Sequence, residues 1–134
     1  MFECLFLGDS IGLGTAQAVN RHYSKQCDVL AAERASSATI LRWRLPSKRY
    51  GTSVFSLGSN DAPGRALIYR LTRVRASIVS GRVIWILPYA RRQAYDVASV
   101  AIAFRDETID LARFESRDRV HPQRYDDFAK ALLR

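Results

Sequence analysis

The run Val83-Ile84-Trp85-Ile86-Leu87 constrains the fold more than any other stretch of this chain. It is apolar at every position, with no polar alternation, so both of its faces must be covered. A strand of that kind lies inside a sheet, between layers of helix. Pro88 follows it and ends it, because proline cannot donate to the ladder.

The flanking sequence supplies the rest of such a sheet. Residues 3–8, 27–32 and 52–57 read as strands, and 108–111 as a weaker strand at the sheet edge. Between them apolar residues recur at helical spacing. A helix is expected over 15–24, with Ala16, Val19 and Tyr23 inward. A short amphipathic helix carries Ile40, Leu41, Trp43 and Leu45 up to Pro46. Another covers 65–79, with Leu67, Ile68, Leu71, Val74 and Ile78 on one stripe, and Gly81 stops it. Two more are expected over 93–105, with Ala94, Ala98, Ala101 and Ile102 inward, and over 123–133, with Tyr125, Phe128, Ala129 and Leu132 on one face. Strands alternating with helices predict an α/β protein: a three-layer α/β/α sandwich around a doubly wound, mainly parallel, flavodoxin-like sheet of about five strands. Its 134 residues suit one domain, 1–134.

In a doubly wound sheet, ligands bind beyond the carboxyl ends of the strands. Four segments should meet there: Gly8-Asp9-Ser10-Ile11-Gly12, the loop Ala35-Ser36-Ser37-Ala38-Thr39, the turn Gly58-Ser59-Asn60-Asp61, and Asp118-Arg119-Val120-His121-Pro122 before the last helix. Ser10 at a strand-to-helix turn is placed as a nucleophile, with small neighbours that let a carbonyl approach. Asp118, three residues before His121, can accept from the imidazole Nδ1–H, fixing the tautomer in which Nε2 takes a proton. Asn60 can donate to an oxyanion. Singly, these residues read as well as a helix cap, a surface charge, a surface histidine and a turn former. In order along one rim they supply nucleophile, acid, base and oxyanion donor.

With these motifs the chain resembles the SGNH hydrolases, also called the GDSL family of esterases and lipases, from Gly8-Asp9-Ser10 through Gly58-Ser59-Asn60-Asp61 to Asp118-Arg119-Val120-His121-Pro122. The resemblance implies an esterase with Ser10 as nucleophile, His121 as base, Asp118 as acid and Asn60 in the oxyanion hole. The family's second block normally offers a glycine N–H to that hole. Ser37 is its match here, so the expected hole is the N–H groups of Ser10 and Ser37 with the Asn60 side chain. Gly8 to Gly12 also fits the Gly-x-Ser-x-Gly elbow of α/β-hydrolases, but that fold needs several strands before its elbow and this chain has room for one.

The implied reaction is hydrolysis of short acyl esters through an acyl-enzyme, without metal or organic cofactor. No long insertion suggests an apolar lid, so the site should be open and suited to a small acyl group on a large polar carrier, such as an O-acetylated glycan. Tyr89, Arg91 and Arg92, after the central strand, are expected at the rim as substrate-binding residues, and Trp43 is expected to pack beneath the sheet. Net charge is +8, with arginine dominant. This charge leaves a second reading open, a binding module for nucleic acid or anionic envelope glycan with a relic hydrolase site. No apolar run approaches a membrane span, and the amino terminus lacks secretory-signal features, so a cytoplasmic location is expected. Cys4 and Cys27 lack metal or redox spacing and are expected as buried, reduced packing residues, with a bridge across the first helix as the less favoured alternative.

Overall fold

The computed structural model describes residues 4–23 and 27–133. Five strands form one parallel sheet: β1 (Cys4–Gly8), β2 (Asp28–Ala31), β3 (Arg49–Ser56), β4 (Val79–Leu87) and β5 (Glu107–Asp110). Their order across the sheet is β2-β1-β3-β4-β5. The chain steps outward from β1 to β2, then returns past β1 to β3, so the carboxyl end of β1 lies at the point where the winding reverses. That is where a doubly wound sheet opens a crevice.

The helices α1 (Ser10–Tyr23) and α5 (Tyr125–Leu132) pack together on one face. On the other lie α2 (Ser37–Leu41), α3 (Arg65–Ala76) and α4 (Arg91–Phe104). Successive strand residues alternate between the two layers. Leu5, Leu7, Phe55, Val83 and Trp85 join the α3–α4 core, whereas Phe6, Val54, Ile84 and Ile86 join the α1–α5 core. The apolar run around Trp85 is therefore covered on both faces, and Trp85 is wholly buried. Its indole Nε1–H is satisfied by Asp106 Oδ2 at 2.9 Å, and the same carboxylate accepts from Arg75 Nε at 2.7 Å. No helix among the described residues is long and apolar enough to cross a membrane.

Several expectations are corrected. Helix α1 starts at Ser10 rather than Thr15, because Gly12 and Gly14 lie inside it where close packing requires them: a Cβ on Gly14 would stand 2.6 Å from the Tyr125 ring. Gly81 does not stop α3. It lies within β4, which begins at Val79. Helix α4 buries Ala94 and Ala101 as expected, but Val97 and Val100 complete its inner stripe and Ile102 is 76% exposed. Buried Asp96 accepts from Gly64 N at 2.8 Å at the start of α3, a polar position that an apolar-stripe reading passes over. The side chain of Tyr23 lies outside the described residues.

The cysteines are not free thiols: Cys4 and Cys27 form a disulfide. The strand register explains it. Leu5 pairs with Asp28 across β1 and β2, which sets the residue before each, Cys4 and Cys27, side by side on neighbouring parallel strands.

Candidate active site

Gly8 ends β1 with φ +152°, and a Cβ there would stand 2.0 Å from Ser56 O. Only glycine lets β1 and β3 close this tightly as the chain leaves the sheet. Asp9 N then donates to Ser56 O at 3.0 Å, and Asp9 turns inward. Its Oδ1 accepts from Ile11 N at 3.1 Å and from Ser56 Oγ at 2.7 Å, which caps the start of α1 from within. The carboxyl is 1% exposed and Oδ2 has no partner among the described residues. Burial pushes its pKa up to about 6, against the lowering effect of those hydrogen bonds. With Asp9 facing inward, Ser10 stands half-buried at the mouth, at the first position of α1.

The opposite wall is the segment between β5 and α5. Asp118 Oδ1 accepts from Val120 N at 2.9 Å and His121 N at 2.8 Å, so the carboxylate folds the loop around itself. Its Oδ2 lies 2.8 Å from His121 Nδ1. The His121 side-chain bond and the backbone N–H bonds of His121 and Val120 hold the Asp118 carboxyl well below the usual carboxylate range. An ionised Asp118 can only accept, so Nδ1 carries the proton and Nε2 presents a lone pair. That Nε2 is 2.7 Å from Ser10 Oγ, across 111 residues of chain. Ser116 braces the loop, donating to His121 O at 2.6 Å and accepting from Arg119 N at 2.8 Å.

Asn60, after β3, donates from Nδ2 to Ala35 O at 3.1 Å, which leaves its second amide hydrogen uncommitted. The expectation for Ser37 is corrected. Its N–H does not face a substrate: it lies 3.1 Å from both carboxylate oxygens of Asp61, and its hydroxyl donates to Asp61 Oδ1 at 2.8 Å. Arg70 Nε donates to the same hydroxyl at 2.8 Å. Ser37 is thus a buried anchor between the β2–α2 and β3–α3 loops. By contrast, Ser10 N–H makes no hydrogen bond to any described residue, as the first N–H groups of a helix commonly do not.

Tyr89 and Arg91 are tied into the scaffold. Tyr89 O–H donates to Phe114 O at 3.0 Å, and Arg91 grips Asp110 with two bonds of 2.9 Å. Tyr89 thereby fastens the β4–α4 loop to the segment that carries His121, and Arg91 fastens the start of α4 to the end of β5. Arg92 is exposed on the first turn of α4. Trp43 is half-buried and packs against the α3–α4 core, as expected. Asp61, Arg70 and Ser56 were not anticipated as site residues, because only their tertiary partners distinguish them from turn, surface and strand residues. Among the described residues no group of three or more metal-ligating side chains occurs.

No protein-family model matches the sequence, and no curated protein matches it by sequence. Solved structures do match its fold. An aryl esterase from M. smegmatis superposes with a TM-score of 0.68 at 10% identity, with 99% of each chain covered. A protein described as lipolytic and of the G-D-S-L family, from Desulfitobacterium hafniense DCB-2, gives 0.58 at 14% identity over 92% of this chain and 85% of that one. A carbohydrate acetylesterase from Sinorhizobium meliloti, Est24, gives 0.59 at 9% identity over 99% of each chain. The chain has the SGNH-hydrolase fold. At such identities the likeness is one of architecture, and the chemistry rests on the residues at the carboxyl end of β1.

Proposed function

We propose that this SGNH-fold chain is a serine esterase that cleaves short acyl esters, O-acetyl groups on carbohydrate among them. The observation that carries the reading is the relay Ser10 Oγ to His121 Nε2 at 2.7 Å and His121 Nδ1 to Asp118 at 2.8 Å. His121 takes the Ser10 proton as Oγ attacks the ester carbonyl. Asp118 stabilises the imidazolium, and the leaving alcohol receives the proton from Nε2. Water then enters by the same route, and its oxygen replaces Ser10 on the acyl carbon. The uncommitted N–H of Ser10 and the free hydrogen of Asn60 Nδ2 serve as oxyanion donors. Ser37 is left out of the hole because its N–H is already bound to a carboxylate. No step calls on a metal or organic cofactor.

The open setting of His121, 40% exposed at its side chain, supports a small acyl group on a polar carrier over a long fatty chain. The esterases among the structural neighbours support the reaction class. The test is fluorophosphonate labelling together with turnover of para-nitrophenyl acetate. Ser10→Ala should abolish labelling and lower kcat by about 10⁴-fold or more, with an unchanged thermal midpoint. Undiminished turnover in that variant would end the proposal. An unlabelled wild-type protein that binds polyanions in a salt-sensitive manner would favour the binding-module reading instead.

A further inference from the structure

The leaving alcohol of an ester must come within hydrogen-bond reach of His121 Nε2 to be protonated, so its carrier lies along the His121 wall. That wall continues into a cleft of about 380 Å³ lined by Arg117, Asp118, His121, Pro122, Gln123 and Arg124. Two guanidinium groups and one carboxylate face it. The carboxylate does not offset the arginines toward a ligand, because Asp118 is already engaged by the ring and backbone of His121 and by Val120 N. Arg117 is exposed and makes no ion pair with any described residue. Arg124 touches Asp127 through Nε at 3.3 Å, which leaves its terminal nitrogens available. Farther along the segment Arg113 and Arg119 add charge and Glu115 removes some.

Resting on the esterase reading, we infer that the preferred substrates are esters of an alcohol that bears an anionic oxyacid group, seated on Arg117 and Arg124 beside the catalytic histidine. The planar fork of arginine suits carboxylate and phosphate oxygens, and Arg117 and Arg124 both line the cleft that His121 borders, beside the group that protonates the leaving alcohol. The anion stays bound to the departing alcohol, so the arginines act on substrate affinity and not on bond cleavage. Their exposure keeps the effect modest.

The experiment compares meta-acetoxybenzoate and meta-acetoxyphenyl phosphate with neutral meta-acetoxybenzamide, whose leaving phenols are of similar acidity. For wild-type protein at low salt, kcat/KM for a charged probe should exceed that for the amide by about fivefold, mostly through KM. The better of the two charged probes identifies the anion class. The preference should shrink as salt is added, and it should vanish in Arg117→Gln/Arg124→Gln protein, whose amide turnover serves as the internal reference. Equal rates for the three probes, or a preference that survives the double substitution, overturn the inference while Ser10-dependent turnover of the amide leaves the esterase reading standing. Turnover of none of the probes, with Ser10 unlabelled, removes that reading and this inference with it.

Discussion

The Ser10 turn is built from backbone and burial: Gly8 lies against Ser56, Asp9 is sealed inside, and α1 starts at once. The His121 loop lies outside the sheet, with side chains of His121 and Asp118 40% and 54% exposed, and side-chain hydrogen bonds from Asp118 and Ser116 shape it. Two ways of fixing a geometry thus meet across one 2.7 Å contact. A core-built element should show its mutations in stability, and a surface loop should show them in activity.

Asp118→Asn presses hardest on this contrast. Asparagine keeps an oxygen for Val120 N and His121 N, so the loop should persist, but it loses the charge that holds the Nδ1 proton. The expected result is a fall in kcat of about 10⁴-fold with a small change in unfolding free energy. A large loss of stability with modest loss of turnover would mean that the loop is part of the core after all.

The disulfide gives the opposite signature. Cys4 and Cys27 lie at the amino ends of β1 and β2, the far end of the sheet from Ser10. The cross-link spans 23 positions of chain, and opening it should cost about 3 kcal/mol through the unfolded state. Urea titration of Cys4→Ala/Cys27→Ala protein should report that loss, while turnover per folded molecule stays near wild type. Activity lost ahead of unfolding would show that the bridge shapes the site itself. Such a bridge is ordinary where thiols are oxidised and uncommon in the cytosol.

What was legible in the sequence divides along similar lines. The sheet could be read because Val83 to Leu87 is apolar on both faces and because Leu67, Leu71 and Val74 keep a helical period. Ser10, Asn60, Asp118 and His121 could be singled out because each sits in a short motif at a strand end. The disulfide, the commitment of Ser37 to Asp61, and the structural use of Tyr89 and Arg91 were not legible. Each depends on register or on a partner more than 15 residues away, and local pattern carries neither. The Ile102 misreading has another cause: alanines at 94, 98 and 101 fit two helical stripes, and Val97 with Val100 decided between them.

The smallest effect tests the nucleophile side by proton linkage. An exposed Asp9 in the unfolded chain titrates at about 3.8, but in the fold burial raises it to about 6. Between these values the native state holds more protons than the unfolded state, so stability falls as pH rises through the window. The penalty from the ionised, buried carboxylate amounts to up to about 3 kcal/mol at neutral pH. Asp9→Asn removes the ionisation while an amide oxygen still accepts from Ile11 N and Ser56 Oγ. Its NH₂ replaces the unpartnered Oδ2, however, and gives back part of the gain. Denaturant midpoints at about pH 4 and about pH 7.5 should therefore show wild type losing stability across the interval relative to the variant. Equal pH slopes for the two proteins would mean that Asp9 reaches solvent, and the description of the Ser10 turn as sealed from within would fall with that result.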